Sequence, residues 1–509
     1  MMKSFRSPAS RREFLRRAGA LSIAGPAAPF ALNLAGVGSA AAQSAPGYKA
    51  LVCLFLYGGN DAFNMVLPTD AASWSAYLAV RNQAPDSIAL RAPGTPAVLS
   101  AGGGSPDRLG GVLAIDPLRA QGRSFALHPT MTGARDLFAA RRLAIVSNVG
   151  PLVRPTTKAE YHDDRFAKPA KLFSHNDQQS TWQAYAPEGA TAGWGGRMGD
   201  LLASANDRAV FTSISASGNA VWLSGQTVLQ YQVSTRGAIR IGSSSGTLYG
   251  SKTAFEKMQG IMRGARSTHV LEKDHAAVVA RSIDAEAALS AALSPADVAP
   301  YGTPGPTGAS GDPQLLYDSP LSGGKVLNPL AQQLQIVART IGARSALGAR
   351  RQVFFVSMGG FDTHDGQNRT QADNLARLSH ALQYFDTALV AMGVGNNVTT
   401  FTASDFGRTF TSNGDGTDHG WGAHHFVMGG AVRGGDLYGH FPAYGTSTGR
   451  GDFASPNQIG NGALLPEVSV DQYAATLGHW FGLSDGQLLE LFPNLANFDT
   501  DVRKLGFMA

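Results

Sequence analysis

Residues 359–367, GGFDTHDGQ, place two acids and an imidazole directly after the apolar run QVFFVSM. Glycine and aspartate are common in turns, so part of this pattern is typical of an ordinary turn. Asp362 and His364 lie two residues apart where a buried strand is expected to end, and both are suitable ligands for a hard or borderline metal ion. The segment alone is consistent with a turn or a metal site, and the rest of the chain has to distinguish them.

Acidic side chains also follow two other apolar runs. Asp61 comes after YKALVCLFLY, and Asp405 comes after NVTTFTAS, three residues before Arg408. His419 follows in the segment GDGTDHGWGAHH. Because ligands of an open α/β sheet bind beyond the carboxyl ends of its strands, we expect these side chains to converge at one edge. Taken singly, Asp61 and Asp405 are equally consistent with helix N-caps.

Four nearly continuous apolar runs predict the strands that position these residues. Continuous rather than alternating runs are typical of parallel strands that are buried on both faces. Helical periodicity separates them, as in residues 327–343 and 370–393. The pattern predicts an α/β fold with a wound, mostly parallel sheet and flanking helices. The runs are YKALVCLFLY (48–57), RRLAIVSNVG (141–150), QVFFVSMGG (352–360) and NVTTFTASDFG (397–407).

The first 42 residues have the pattern of a twin-arginine export signal. The motif SRREFL (10–15) precedes a weakly apolar stretch and small residues suited to cleavage near Ala42. A basic amphipathic N-terminus is the alternative interpretation. We therefore expect the twin-arginine translocation machinery as a partner and a periplasmic or secreted location.

Charge and composition exclude several classes of partner. Residues 1–42 carry six basic residues and one acid, while the whole chain has a net charge of +5, so the mature part is close to neutral. A nucleic-acid-binding surface is therefore not expected. No later run approaches 18 apolar residues, so we expect no integral membrane segment. The single cysteine, Cys53, excludes an intrachain disulfide and a zinc site with four cysteines.

Residues of roughly 205–320 are expected to form an insertion or cap over the sheet rather than an independent domain. They end in the Pro/Gly-rich connector PYGTPGPTGASGDP (300–313).

Six segments of the chain carry a family resemblance. They are LFLYGGNDAFNMVLP, LFSHNDQQSTWQ, GWGGR, GGFDTHDGQ, SDFGRTFTSNGDGTDHGWGAHH and VSVDQYAATLGHWFGL. Together they resemble the DUF1501 family of exported bacterial proteins over essentially the whole mature chain. That family looks like a distant branch of the alkaline phosphatase/sulfatase superfamily, and no activity is established for it. The resemblance implies one alkaline-phosphatase-like α/β domain over residues 43–509, with one or two divalent metals beside a Ser, Thr or modified Cys nucleophile.

The same resemblance implies a ligand set for a divalent ion, which would be zinc, manganese, calcium or magnesium. Phe406 stands where the superfamily has a histidine after the acid, and this departure removes one ligand. The spacing of Asp362 and His364 is also narrower than usual. One metal, or two with an unusual ligand, is therefore expected. The implied ligands are Asp61, Asp362, His364, Asp405 and His419.

Ser174 is the candidate nucleophile, because it and His175 precede a helix-like stretch whose N-terminus favours an anion. The alternative is a helix N-cap, with Asp177 completing a capping box. In that case water activated by the metal is the nucleophile.

The sequence thus predicts an exported, metal-dependent, hydrolase-like protein that acts on small phosphate or sulfate esters, with Arg408 clamping the anionic ester. The segments GSSSG (242–246) and GTSTG (445–449) match Gly-x-Ser-x-Gly, but neither joins an apolar strand run to a helical pattern as a nucleophile elbow does, which argues against a serine esterase. No His-Glu-x-x-His motif is present, which argues against a zinc protease. The alternative is a non-catalytic exported binding or assembly protein that retains the fold and a structural metal.

Overall fold

The computed structural model describes residues 47–240, 245–265, 267–305 and 311–509. The predicted export signal, residues 1–42, lies outside these ranges. Among the helices of the described ranges, none is long and apolar enough to cross a membrane.

Nineteen strands are found in the described residues. They are β1 (Lys49–Leu56), β2 (Val66–Pro68), β3 (Leu113–Ile115), β4 (Phe125–Leu127), β5 (Leu143–Gly150), β6 (Ser213–Ser215), β7 (Tyr231–Ser234), β8 (Gly237–Ala238), β9 (Leu316–Asp318), β10 (Lys325–Leu327), β11 (Arg351–Met358), β12 (Val398–Ser404), β13 (Arg408–Ser412), β14 (Thr417–His419), β15 (Ala423–Met428), β16 (Leu437–Tyr438), β17 (Gln458–Ile459), β18 (Ala463–Leu464) and β19 (Val468–Ser469).

The α-helices lie between these strands and, for the last two, after β19. They span Ala62–Met65, Ala71–Arg81, Pro106–Leu109, Thr132–Ala139, Lys158–Tyr161, His175–Ala184, Trp194–Leu202, Lys252–Arg263, Val270–Ala292, Pro329–Gly342, Arg344–Leu347, Gln367–Ala391, Val470–Phe481 and Asp485–Leu491. Short 3₁₀ turns occur at Ala203–Ala205, Ala209–Phe211, Val221–Leu223, Pro313–Leu315 and Leu495–Asn497.

One large mixed sheet organises the molecule. Its strand order is β16-β5-β15-β12-β1-β11-β6-β7-β8, and β19 also pairs with β5. Strand β1 is central and runs parallel to both β11 and β12. Strand β15 runs antiparallel between β12 and β5, and β8 runs antiparallel to β7 at the edge. The fold is therefore α/β with mostly parallel strands and flanking helices, as the sequence predicts.

All four predicted strands are present in this sheet, as β1, β5, β11 and β12. Strands β1 and β11 pair along their full length, from Lys49 opposite Arg351 to Leu56 opposite Met358. Every residue of β5 and β12 is buried, which explains why their apolar runs are continuous rather than alternating.

The sheet separates two hydrophobic layers. Successive residues of β1 point to opposite faces, so Val52 and Leu54 enter one layer while Cys53 and Phe55 enter the other. Helices Pro329–Gly342 and Gln367–Ala391 cover the first face, and helices Trp194–Leu202 and Val470–Phe481 cover the second. Both faces are thus buried, and the strand ends are left for function.

Within residues 205–320, strands β6, β7 and β8 extend the large sheet at one edge. Helices Lys252–Arg263 and Val270–Ala292 follow them, and the second packs against β8. The assignment of this segment as a cap stays a prediction.

Candidate metal centre

Four side chains from three parts of the chain meet beyond the carboxyl ends of β11 and β12. Asp362 and His364 follow β11 in a turn that begins at Gly359 and Gly360. His419 ends β14, which pairs with β13 so that His419 lies opposite Arg408. The fourth side chain, His175, is the first residue of helix His175–Ala184.

The ring nitrogens of the three histidines converge on one point. The Nε2 atom of His419 lies 3.0 Å from Nε2 of His175 and 2.9 Å from Nε2 of His364. The carboxylate of Asp362 completes the group, at 3.1 Å from Nε2 of His364, 3.4 Å from Nε2 of His175 and 3.5 Å from Nε2 of His419. His175, Asp362 and His419 form a group with the composition and spacing to hold a metal ion.

Each of the three imidazoles also has an oxygen acceptor at its other ring nitrogen. The Nδ1 atom of His175 lies 2.7 Å from Oδ2 of Asp405, and that of His364 lies 3.1 Å from Oδ1 of Asp418. The Nδ1 atom of His419 lies 2.8 Å from the carbonyl oxygen of Phe173. A carbonyl oxygen and an ionised carboxylate only accept hydrogen bonds, so Nδ1 carries the proton in each ring.

This tautomer directs the lone pairs of all three Nε2 atoms toward one another when the rings are neutral. A shared proton can satisfy one such contact, but His419 faces two Nε2 atoms and has one lone pair there. A cation satisfies all of them together. Two ligands bonded to zinc at about 2.0–2.1 Å in tetrahedral geometry lie roughly 3.3 Å apart, close to the separations described above.

The local charges favour ionised Asp362 and neutral His419. Partial burial raises the pKa of Asp362, but the hydrogen bond and charge of Arg408, with His175 and His364 nearby, outweigh burial and the net shift is downward. Burial lowers the pKa of His419, and the Phe173 carbonyl offsets this only in part. The hydrogen bond to Asp405 raises the pKa of His175 although burial opposes it. Because its pKa is raised, protonation of His175 competes with a cation more strongly than protonation of an ordinary imidazole would.

Asp405, predicted as a metal ligand, contacts the cluster through His175. It is fully buried, and its Oδ2 atom accepts hydrogen bonds from His175, the backbone N–H of Gly58 at 3.0 Å and Nε2 of Gln179 at 2.8 Å. A carboxylate that holds the distal nitrogen of a histidine fixes the orientation of the ring and raises its basicity as a ligand.

Arg408 is buried and holds Asp362. Its Nη1 group donates to Oδ1 of Asp362 at 2.8 Å and to the carbonyl of Gly58 at 3.3 Å. Its Nη2 group donates to the carbonyl oxygen of Thr417, and Nε donates to the Thr417 hydroxyl at 3.3 Å. The guanidinium is thus engaged by the protein and orients the Asp362 carboxylate.

Phe173 and Phe406 shape the buried side of the cluster. Phe173 has a left-handed backbone with φ of 70°, an unfavourable conformation for a bulky side chain, and its carbonyl meets His419. The ring of Phe406 lies 4.7 Å, centroid to centroid, from those of His175 and His419. Phe406 therefore packs against the imidazoles at the position where the superfamily resemblance implies a ligand.

Asp61, the other predicted metal acid, makes none of these contacts. Its two carboxylate oxygens accept from Arg81 at 2.5 and 3.0 Å, and Gln367 and the N–H of Phe63 donate to them as well. Both members of the Asp61–Arg81 ion pair are fully buried. Asp61 is also the N-cap of helix Ala62–Met65, which was the alternative interpretation of this residue.

Ser174 is the N-cap residue of helix His175–Ala184 by position, but its side chain makes no capping hydrogen bond to the backbone. Its hydroxyl donates to Oδ2 of Asp177 at 2.8 Å, and Lys171 lies 3.2 Å from the other oxygen of that carboxylate. The capping box of the alternative interpretation is not formed, and the hydroxyl is oriented by Asp177.

His175 was not among the predicted ligands, although it follows Ser174 directly. Its sequence environment gives no sign of a metal site, because its partners Asp405 and His419 lie 230 and 244 residues further along the chain. The ligand group is also open to solvent, since the side chains of Asp362 and His364 are 46% exposed. A small molecule can therefore reach it.

A mixed, mostly parallel sheet with an acid and imidazole cluster beyond its strand ends defines an α/β protein with a candidate metal centre. The chain belongs to the DUF1501 family, described as "Protein of unknown function (DUF1501)", whose match covers residues 48–492. No curated protein matches the sequence.

Proposed function

We propose that this chain is an exported, metal-dependent hydrolase-like protein of the alkaline phosphatase type that acts on phosphate or sulfate esters. The observation that carries the proposal is the convergence of three imidazole Nε2 atoms on Asp362, with the Nδ1 proton of each ring bonded to an oxygen. Tautomers fixed in this way are typical of metal-binding histidines.

The residues that would hold the cation are His175, Asp362 and His419, with His364 as a fourth donor. Three imidazoles and one carboxylate suit zinc better than calcium or magnesium, which prefer oxygen ligands. When bound, such a cation supplies Lewis-acid polarisation of a phosphoryl or sulfuryl oxygen.

The protein's own residues support this chemistry by orientation and access. Asp405 holds the ring of His175, and Arg408 holds the carboxylate of Asp362. Because the guanidinium of Arg408 is buried and bonded to protein oxygens, we assign it this positioning role in place of a direct clamp on the ester. The exposed side of Asp362 and His364 leaves room for an ester group to approach from solvent.

A non-catalytic exported binding or assembly protein is the second candidate. It is favoured by the environment of Ser174, whose hydroxyl donates to Asp177, because that hydrogen bond and Lys171 lower the pKa of Asp177 and leave it a weak base for activating a nucleophile. The hydrolase does not require Ser174, because water can act as the nucleophile in place of a protein side chain. Export itself is proposed from the SRREFL motif.

The test of the proposal is turnover of phosphomonoester, phosphodiester and sulfate-ester substrates by the mature protein, with and without a chelator. We expect metal-dependent turnover that falls by two or more orders of magnitude, roughly the effect of losing a key electrostatic group, in Asp362→Ala. The matched control is Asp365→Ala, because Asp365 is an exposed acid in the same loop. Turnover that survives Asp362→Ala would refute the assigned site.

Ser174→Ala separates the two nucleophile models. Loss of turnover would support a covalent intermediate on Ser174, and retention would support water. If the metal-loaded protein turns over none of these substrates, the binding-protein candidate replaces the hydrolase.

A further inference from the structure

A cavity of about 630 Å³ lies away from the candidate metal centre. Arginines dominate its charged lining, and apolar side chains form much of the remainder. The residues that matter here are Leu118, Arg119, Arg141, Arg433, Tyr438 and Leu505.

This cavity lies at the amino ends of the parallel strands, whereas the metal centre lies beyond their carboxyl ends. Arg141 precedes β5, and Arg433 lies between β15 and β16, where β15 has reached the amino end of β5. Asp362 and Asp405, in contrast, follow the carboxyl ends of their strands. Strands of seven or eight residues at about 3.3 Å per residue separate the two edges by roughly 25 Å. The cavity is therefore a separate place on the molecule.

The charge of the cavity is unbalanced. Three arginines face one acid, Asp436, whose Oδ2 accepts from Nε of Arg119 at 2.7 Å. Arg141 and Arg433 form no ion pair with any carboxylate in the described part of the chain. Their neighbour Arg142 differs, because Asp386 engages it with two hydrogen bonds of 2.6 Å. Since the mature chain is near neutral overall, this local excess of positive charge is not a general property of its surface.

Backbone contacts position the main chain of these two exposed arginines beside the cavity. The N–H of Arg433 donates to the carbonyl of Phe507 at 2.8 Å, and the carbonyl of Arg433 accepts from the Tyr438 hydroxyl at 2.7 Å. Arg141 has a left-handed backbone with φ of 57°. A Cβ atom on Gly434 would lie 2.6 Å from the Arg141 carbonyl, so only glycine permits this close approach.

The cavity also offers an apolar surface beside the charges. Leu118 is 60% exposed, and the guanidinium of Arg119 lies 4.9 Å from the centre of the Tyr438 ring. Guanidinium groups match the oxygens of phosphate and sulfate, while Leu118, Tyr438 and Leu505 suit an apolar body. We propose that this cavity binds a small organic anion that joins a phosphate, phosphonate or sulfate group to an apolar body.

The proposal is tested by titrating phenylphosphonate, whose carbon–phosphorus bond resists hydrolysis, into the mature protein in a calorimeter. We expect saturable binding that is tighter than that of inorganic phosphate and weakens at high salt. The double variant Arg141→Gln/Arg433→Gln should weaken it by about tenfold or more, because charge-assisted hydrogen bonds are lost.

Two controls make the result specific to this cavity. Arg281→Gln removes an exposed arginine from helix Val270–Ala292 and should leave binding unchanged. Asp362→Ala disables the metal centre, at which a phosphate-ester analogue also binds under the proposed function, and it should retain the saturable site that the double variant loses, because the metal centre lies at the other end of the strands. Absence of saturable binding, or equal binding by the double variant, would overturn the proposal. Loss of binding in Asp362→Ala alone would assign the anion to the metal centre and would overturn it too.

Discussion

At the scale of single residues, the orientation of His175 depends on the carboxylate of Asp405, which is not a member of the ligand group. Asp405 is buried, and its Oδ2 atom collects three donors, of which Nδ1 of His175 is the closest at 2.7 Å. The bond fixes the tautomer in which Nε2 of His175 is free to act as a ligand. Asp405 thereby accepts the Nδ1–H hydrogen bond of His175, as Asp418 accepts that of His364.

Replacing Asp405 with asparagine should weaken metal binding without abolishing it. Asparagine keeps the size of the side chain but removes the negative charge that raises the basicity of His175. Loss of such an outer partner typically costs about 10–100-fold in metal affinity. Competition with a chromophoric chelator measures this affinity. An unchanged affinity in Asp405→Asn would contradict the role given to Asp405.

At the scale of elements, the cluster depends on how closely the ends of β1 and β11 approach each other. Gly58 follows β1 with φ of 113°, and a Cβ atom added there would lie 2.4 Å from the backbone N of Asp362. No side chain fits in that space, so a glycine is required for the loop that carries Asp362 to lie against the end of β1.

Gly58→Ala should therefore move the Asp362 loop and lower the free energy of unfolding by about 1–3 kcal/mol. The matched control is Gly359→Ala, because Gly359 lies in the neighbouring turn with no atom within 4 Å of an added Cβ. Chemical denaturation and metal content measure the two effects. Equal stability and equal metal content in both variants would show that the close approach does not matter.

The elements were largely predictable, and the contacts between them were not. Strands β1, β5, β11 and β12 follow from continuous apolar runs, because a strand that is buried on both faces has no polar side to present. Arg81 could not be assigned to Asp61 from sequence, since the pair forms only when helix Ala71–Arg81 packs beside β13. His175 was missed for the same reason, because tertiary packing alone brings its helix to Asp405 and His419.

At the scale of the whole molecule, buried ionisable groups make stability depend on pH in two opposite directions. Burial lowers the pKa of His128, His424 and His425 to about 3. Burial also raises the pKa of Asp471 to about 7. The histidines stay neutral in the folded chain, whereas the unfolded chain binds protons below about pH 6.5, so their contribution to stability is lost as pH falls below that value.

The sign is reversed for Asp471. The folded state binds a proton below about pH 7, while the unfolded carboxyl remains ionised down to about pH 3.9, so this contribution is lost as pH rises through 7. As the pH of chelator-treated protein is lowered from 6.5 to 5, the unfolding free energy of His424→Asn should therefore fall less steeply than that of the parent, by about 1.4 kcal/mol per pH unit. Over the same pH range, the unfolding free energy of Asp471→Asn should fall more steeply than that of the parent, by a similar amount.

Urea denaturation at several pH values gives the slope of unfolding free energy against pH. This slope is unaffected if a variant loses the same amount of stability at every pH. His440→Asn is the control, because the side chain of His440 is 86% exposed. If plots of unfolding free energy against pH for His424→Asn and Asp471→Asn both run parallel to the plot for the parent protein, each group has the same pKa in the folded and the unfolded chain, and the account is contradicted.

The central claim is that His175, Asp362 and His419, with His364, hold a divalent metal ion. Elemental analysis of the purified protein tests it most directly. We expect close to one equivalent of a divalent ion per chain, with zinc as the first candidate, and its loss in both His175→Ala and Asp362→Ala but not in Asp365→Ala. A folded protein that contains no metal, and whose unfolding is unaffected by a chelator or by added zinc, would contradict the account.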